Sequence, residues 1–286
     1  MSAKARLRKV IPTSAWLRLR ALRNRCFGVF WYRRGFRFAK NWLHDNEIDP
    51  LYPENEAFGQ DNPLWQYFQN HQQGHGIWKW EHYFPVYHRH MKKYVGRNPS
   101  IVEIGVFSGG SLDMWADYFG ECQIFGIDIE DACKSYEREN VHVFIGDQAD
   151  PNFWGKFKSK VPKIDVLIDD GGHTPDQQSV TLKCMLPHLR SGGVYICEDV
   201  EGIHNRFAAF ATGIVGELNR MSEEGSGSDE PSEFQRSSFS IHFYPFMVII
   251  EKSETPLTRL LAPKHGSEWQ PFLDKKLSKP AADTRL

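Results

Sequence analysis

From residue 99 onward, short apolar segments bounded by Gly or Asp alternate with amphipathic stretches, and this alternation restricts the fold more than any other feature. It predicts an α/β domain with a mostly parallel sheet and helices on both faces, because parallel strands need helical crossovers. The predicted strands are 100–105, 123–128, 142–145, 165–169 and 194–197. The predicted helices are 111–118, 152–158, 176–189 and 205–221.

Two further β-rich segments, 240–244 and 246–251, are separated only by Pro245. They are too close for a crossover, so they must pair antiparallel or form one bent strand. Residues 223–236 are acidic and rich in Gly and Ser, which predicts a flexible loop. The α/β domain is predicted to cover 99–262, followed by a peripheral tail over 263–286.

The charge distribution separates the start of the chain from the rest. Residues 1–40 hold twelve of the 35 basic residues and none of the 36 acidic ones. Apolar side chains recur there at helical spacing, which predicts a basic amphipathic arm over 1–44. Three interpretations stay open: a helix on an anionic membrane surface, an organelle transit peptide, or a helix docked on the body or on a second subunit. Nucleic acid is an improbable partner because no recognition motif accompanies the charge.

Residues 45–98 form a connecting region rich in aromatic residues and histidine. Five of the twelve histidines lie there, at His71, His75, His82, His88 and His90. Their spacing matches no familiar metal-ligand set, so we predict a half-buried aromatic helix that covers the edge of the next domain and keep a pocket-lining role open.

Two global features bear on the compartment. No apolar stretch reaches the roughly 20 residues that a membrane span requires. The five cysteines include no Cys-x-x-Cys pair, which argues against a disulfide scaffold or a zinc ribbon. A reducing, cytoplasmic location is expected, with peripheral membrane contact left open.

A glycine-rich turn follows the first predicted strand, in the run from Ile101 to Ser111. Gly105 and Gly109 allow the backbone to approach a ligand closely, and the helix that follows offers unpaired N–H groups. Asp128 lies 19 residues after Gly109 at the end of the next strand, where an open α/β sheet places a ribose-binding carboxylate. The spacing predicts an adenosine-containing ligand.

The details of this turn argue against a dinucleotide. Val106 and Phe107 follow Gly105, so the Gly-x-Gly-x-x-Gly fingerprint of pyrophosphate binding is missing. Glu103 would suit a cationic ligand better than a pyrophosphate. An oxidoreductase is therefore the weakest enzyme hypothesis.

Acidic residues follow the fourth and fifth predicted strands, in Asp169–His173 and at Glu198 and Asp199. The carboxyl ends of parallel strands open onto one edge of the sheet, so these carboxylates should converge. They would repel one another without a cation, and a hard divalent ion such as Mg²⁺ prefers oxygen ligands. Helix capping explains Asp169 adequately, but not the whole set.

The pattern Glu-x-Gly-x-x-x-Gly over 103–109 resembles motif I of the class I methyltransferases that use S-adenosylmethionine (SAM). The resemblance continues through 126–128, 146–148 and 189–193, and it implies a Rossmann-like fold with a C-terminal antiparallel strand pair, preceded here by a basic, aromatic-rich helical region. The cofactor-binding residues that it implies are Glu103, Gly105, Ser108, Gly109, Ser111, Asp128, Asp147, Gln148 and Asp169.

Within that class, segments 168–173 and 196–199 are similar to motifs of the metal-dependent sugar O-methyltransferases that act on macrolide antibiotics. The resemblance implies that Asp170, Glu198 and Asp199 bind Mg²⁺ and that His173 is the general base. Gly172 departs from the family, which usually has a small hydroxyl residue there.

Together these features predict SAM- and Mg²⁺-dependent methyl transfer to a hydroxyl of a sugar or another vicinal diol. The expected partner is a small-molecule or glycoside acceptor, with homo-oligomer formation left open. The alternatives are a catechol-type O-methyltransferase and a SAM-fold binding or scaffold protein docked through its basic arm.

Overall fold

The computed structural model describes residues 28–40, 61–220, 230–263 and 265, and it divides the chain into two units, Met1–Ala57 and Phe58–Leu286. In the first unit, residues 28–40 form a helix (α1) whose aromatic side chains are exposed and whose Arg34 guanidinium lies 5.0 Å from the Trp31 ring centroid. The rest of the predicted arm lies outside the described residues, so membrane contact stays a prediction. Among the described helices, none has the length and hydropathy needed to cross a bilayer.

The second unit is built on a seven-stranded sheet with the order β3-β2-β1-β4-β5-β7-β6. Its strands are β1 (Ser100–Ile104), β2 (Gln123–Asp128), β3 (Val141–Ile145), β4 (Ile164–Asp169), β5 (Leu189–Cys197), β6 (Ser238–Tyr244) and β7 (Met247–Lys252). The first five strands pair in parallel, whereas β7 pairs antiparallel with both β5 and β6. The α/β class and the antiparallel closing pair are confirmed.

Helices cover both faces of this sheet. They are α2 (Pro63–Asn70), α3 (Tyr83–Met91), α4 (Gly110–Phe119), α5 (Pro151–Lys160), α6 (Pro175–Met185), α7 (Arg206–Leu218) and the short α8 (Glu233–Ser237). Several of them begin with a polar cap. Thr174 and Gln177 form a reciprocal capping box at α6, and the Asp150 side chain accepts from the backbone N–H of Asn152 at α5.

The core has two layers because successive side chains of a strand point to opposite faces. Ile101 packs against the layer formed with α2, α3 and α4, whereas Val102 packs against the layer formed with α5, α6 and α7. Both faces of the central strands are therefore buried, as the continuous apolar strand segments predict.

Three differences from the sequence prediction are the most informative. The predicted helix 176–189 ends at Met185 and a 3₁₀ turn follows, because Pro187 cannot continue an α-helix. Strand β5 begins at Leu189 instead of 194, with Gly192 in the left-handed region at φ 75°. The predicted loop 223–236 contains the start of α8, whose Ser232 and Gln235 form a capping box, while residues 221–229 lie outside the described part.

The connecting region also needs a correction. The prediction is a half-buried helix that covers a domain edge, but six of the nine side chains of α3 are buried, among them Tyr83, Phe84 and Tyr87. Tyr83 also lines the cleft, as the pocket-lining alternative expects. These rings pack with Trp115 of α4 in the same core layer as the sheet. Residues from Phe58 onward thus belong to the same compact unit as the α/β domain.

Between α2 and α3, residues 75–80 form a segment outside the helices and strands, called here the strap, that passes close to the start of α4. A Cβ atom on Gly110 would lie within 3.0 Å of the carbonyl oxygens of His75 and Gly76 and of the Ile77 side chain. The strap can approach α4 only because position 110 carries no side chain.

We expect Gly110→Ala to displace the strap and to lower the free energy of unfolding by about 1–3 kcal/mol, as overpacking of a closed core does. The matched control is Gly155→Ala on α5, where a Cβ would meet no atom within 4 Å. That exchange should stabilise the protein by roughly 0.5–1 kcal/mol, because alanine favours a helix interior. Urea denaturation measures both, and equal effects of the two changes would contradict the proposed packing.

Candidate active site

A cleft of about 680 Å³ opens at the carboxyl ends of the parallel strands. It lies where the strand order reverses between β1 and β4, which is where open α/β sheets bind ligands. Its walls come from the strap, the glycine turn after β1, the end of β2, and the loops after β3, β4 and β5. Its volume falls within the range typical of small-molecule sites.

The glycine turn is fixed by two close approaches. Gly105 has φ 90°, and a Cβ there would collide with the backbone of Asp170 in the loop after β4. Phe107 adopts φ 48°, and its N–H donates to Asp128 Oδ2 at 3.0 Å. The Glu130 N–H donates to Asp128 Oδ1, also at 3.0 Å. The turn and the Asp128 carboxylate are therefore held together at the cleft wall.

Most of the predicted cofactor residues line this cleft, and three do not. The lining residues are Gly105, Ser108, Ser111, Asp128, Asp147 and Gln148. Gly109 caps α4 at φ 76° and faces the Tyr136 ring. Glu103 is fully buried beneath the cleft, and its Oε2 accepts from Ser111 Oγ at 2.7 Å.

Asp169 is the third residue that does not line the cleft. It lies in the core, where its carboxylate accepts from Gln148 Nε2 at 2.9 Å and from Tyr195 OH at 3.0 Å. Burial raises the pKa of Asp169 to about 6, although these hydrogen bonds oppose the shift. Gln148 Oε1 in turn accepts from the Gly172 N–H at 2.6 Å. Asp169 therefore orients Gln148, and Gln148 holds the loop after β4 at the cleft wall.

Asp170, His173 and Asp199 converge at the cleft, each offering one ligand atom, and these atoms lie within 4.8 Å of one another. Asp199 Oδ1 accepts from Trp80 Nε1 at 3.0 Å and from Tyr83 OH at 2.8 Å, while Oδ2 lies 3.6 Å from His173 Nε2. His173 and Asp199 both adopt positive φ, at 56° and 52°. Such strained backbone is characteristic of functional sites.

Glu198 does not join that cluster, which therefore differs from the predicted ligand set. Its Oε1 accepts from Tyr87 OH at 2.6 Å, and both its oxygens lie within 3.3 Å of Lys79 Nζ. Glu198 is buried, whereas its neighbour Asp199 turns toward the cleft through its left-handed backbone. Its role as a metal ligand stays a prediction.

Lys79 is the main residue that the sequence analysis missed. Its ammonium lies 2.6 Å from Asp170 Oδ2 and 3.4 Å from Glu103 Oε1, in addition to its contacts with Glu198. Burial alone would lower the pKa of Lys79, but the neighbouring carboxylates raise it well above the ordinary value. The acidic cluster in the sequence could have indicated such a residue, because carboxylates that converge need a cation nearby, and the strap supplies Lys79.

A doubly wound sheet, a glycine turn at its switch point and acidic loops after β4 and β5 are features of the class I methyltransferase fold. Residues 102–200 match the family profile described as "Methyltransferase domain".

Among its relatives, the chain is 31% identical over 200 residues to the 8-demethyl-8-alpha-L-rhamnosyl tetracenomycin-C 2'-O-methyltransferase of Streptomyces olivaceus, covering 62% of this chain and 52% of that protein. It is 36% identical over 128 residues to the mycinamicin VI 2''-O-methyltransferase of Micromonospora griseorubida, covering 42% of this chain and 32% of that protein. The chain thus spans about half or less of the length of these relatives.

The fold is also similar to a solved structure. MycE methyltransferase from the mycinamycin biosynthetic pathway, in complex with Mg and SAH, superposes with a TM-score of 0.56 at 23% identity. The match covers 67% of this chain and 54% of MycE. The class I methyltransferase fold is therefore confirmed.

The buried charges of Lys79 and Glu198 should depend on each other. We expect Lys79→Met to lower the free energy of unfolding by about 3–5 kcal/mol, because it leaves buried carboxylates without their cation. Adding Glu198→Gln should restore part of that loss. Urea denaturation of both single variants and the double variant gives the coupling energy. Additive losses would show that the pair makes no net interaction.

The raised pKa of Asp169 predicts a pH-dependent effect of Asp169→Asn. Above pH 6, ionisation of this buried carboxyl lowers the free energy of unfolding of the wild type. The variant, which cannot ionise, should therefore be more stable by up to about 3 kcal/mol. The difference should shrink as the pH falls from 8 to 4, because the folded wild type then gains the proton. Urea denaturation across this range tests it, with exposed Asp117→Asn as the control. A difference that is constant with pH would contradict the shift.

Proposed function

We propose that the protein is a SAM- and Mg²⁺-dependent O-methyltransferase that methylates a hydroxyl group of a sugar or another vicinal diol. The observation that carries this proposal is the convergence of Asp170, His173 and Asp199 on the cleft that the glycine turn borders. The relatives named as sugar O-methyltransferases support it, as does the Mg and SAH bound by MycE.

The chemistry of the cleft fits SAM. At Gly105 the backbone itself borders the cleft, because glycine has no side chain to fill the space for the ligand. Ser108 and Asp128 add polar groups on the same wall. We assign Asp128 to the ribose hydroxyls and Asp147 with Gln148 to the adenine side, following the strand order. When bound, SAM supplies a methyl group on a positively charged sulfur.

The donor set at the opposite wall fits a divalent ion. Asp170 and Asp199 offer oxygen ligands, although Asp170 Oδ2 also lies 2.6 Å from Lys79 Nζ. Glu198 would join them if its carboxylate turned from Lys79. A bound Mg²⁺ would act as a Lewis acid toward the acceptor oxygens. Trp80 and Tyr83 hold Asp199 in place through its Oδ1 and leave Oδ2 directed at His173.

His173 is the proposed general base. Its exposed imidazole borders the cleft, and histidine is the side chain that most often serves as a general base. The ring of His173 would take the proton of the acceptor hydroxyl, and SAM, when bound, would supply the methyl group to that oxygen, with its sulfur as the leaving group. Asp199, 3.6 Å from Nε2, stabilises the protonated ring. The products are a methyl ether and S-adenosylhomocysteine.

The proposal is tested by calorimetric titration with SAM, with and without Mg²⁺, and by transfer of labelled methyl to a panel of glycosides and catechols. We expect His173→Ala to keep SAM affinity within about twofold and to lose at least about 100-fold in rate, as removal of a general base does. Asp199→Asn should abolish the Mg²⁺-dependent rate.

The matched control for His173→Ala is His142→Ala, because His142 lies on β3 and contacts Gln123 away from the cleft. Absence of SAM binding under both conditions would overturn the methyltransferase proposal and favour the scaffold alternative. Transfer to catechols but to no glycoside would instead favour the catechol-type alternative.

A further inference from the structure

A second group of ligand-type side chains lies outside the cleft, between α3 and the β6–β7 hairpin. His90 comes from the last turn of α3, His242 from β6 and Glu251 from β7. One atom from each lies within 4.8 Å of the other two. None of the three lines the cleft, so the methyl-transfer proposal leaves them without a role.

The distances between their donor atoms are similar to those between the ligands of a bound metal ion. His90 Nδ1 lies 3.1 Å from Glu251 Oε1, and His242 Nε2 lies 3.6 Å from Glu251 Oε2. Ligands bound tetrahedrally at about 2.0–2.1 Å from zinc stand roughly 3.4 Å from one another. The fold therefore already holds these donors at a separation that an ion could bridge.

The surrounding contacts orient the donors. His90 Nε2 lies 2.9 Å from Tyr244 OH, a second contact that leaves Nδ1 directed at Glu251. Metal-binding histidines commonly carry such a contact on the other ring nitrogen, since it fixes the tautomer. Ser240 Oγ donates to Glu251 Oε2 at 2.9 Å and lies 2.9 Å from His242 Nε2.

The cluster can be reached from solvent on one side. His90 is 4% exposed, whereas the side chain of His242 is 35% exposed and provides access from solvent.

We propose that His90, His242 and Glu251 form a zinc-binding site that is separate from the methyl-transfer cleft. Two imidazoles and one carboxylate are a familiar zinc donor set, whereas Mg²⁺ prefers oxygen ligands alone. The fourth position is open to solvent or to Ser240 Oγ. The ion would join α3 to both strands of the hairpin.

The site would have a structural consequence for the cleft. Helix α3 also carries Tyr83 and Tyr87, which donate to Asp199 and Glu198. An ion that fixes the last turn of α3 therefore stabilises the element that positions these carboxylates. Binding to the folded state alone adds RT ln(1 + [L]/Kd) to the free energy of unfolding and so raises the melting temperature.

The test uses the full chain after treatment with a chelator. Titration with Co²⁺ should produce the intense visible absorption of a tetrahedral site at one equivalent, and Zn²⁺ should displace it. Because an oxygen-rich octahedral site absorbs only weakly, Co²⁺ bound in the cleft does not mimic this signal. Asp199→Asn should leave the signal unchanged.

His242→Ala and Glu251→Gln should each weaken Zn²⁺ binding at least about tenfold. The matched control is His88→Gln, since His88 lies on the same helix and contacts Tyr118 outside the cluster. A second readout, the Zn²⁺-induced rise in melting temperature, should appear in the wild type and in the control but not in Glu251→Gln. A wild type without the tetrahedral spectrum, or a spectrum that persists in both ligand variants, would overturn the proposal.

Discussion

The ammonium group of Lys79 is the interaction on which the candidate site depends. It lies among carboxylates that follow or end three parallel strands: Glu103 on β1, Asp170 after β4 and Glu198 after β5. Parallel strands must direct their carboxyl ends to one edge, so the topology itself concentrates this negative charge. The strap that carries Lys79 offsets the charge, and Gly110 gives the strap the space to do so.

One lysine does not neutralise the whole edge. Asp199 lies outside the reach of Lys79 and is held instead by neutral donors, Trp80 and Tyr83. Neutral hydrogen bonds stabilise a carboxylate without cancelling its charge, so the Asp170, His173 and Asp199 cluster retains an attraction for cations. Glu103 and Glu198 are thus buried and paired with Lys79, whereas Asp199 faces the cleft without a cation. Asp170 belongs to both groups, since it contacts Lys79 and also lies in the cleft-facing cluster.

The sequence predicted the sheet and the position of the cleft because both follow from local patterns. Apolar strands, glycine turns and acidic strand ends are visible within a few residues of one another. Lys79 was not predictable in this way, since it lies 91 residues from Asp170 and 119 from Glu198 along the chain. The core position of Asp169 was equally hidden, because adjacent residues at a strand end turn to opposite sides. Asp169 turns into the core, whereas Asp170 turns to the cleft, as predicted.

Helix α3 illustrates why composition alone underestimated the region before the sheet. Its aromatic residues suggested a cover for the domain edge, yet their hydroxyl groups are what the site uses: Tyr83 donates to Asp199 and Tyr87 to Glu198. A buried tyrosine needs a partner for its hydroxyl, and a buried carboxylate needs donors. The tyrosines and the carboxylates meet each other's need, although more than 100 residues of sequence separate them. The helix is therefore part of the candidate site, and a change in its position would also move the donors to the two carboxylates after β5.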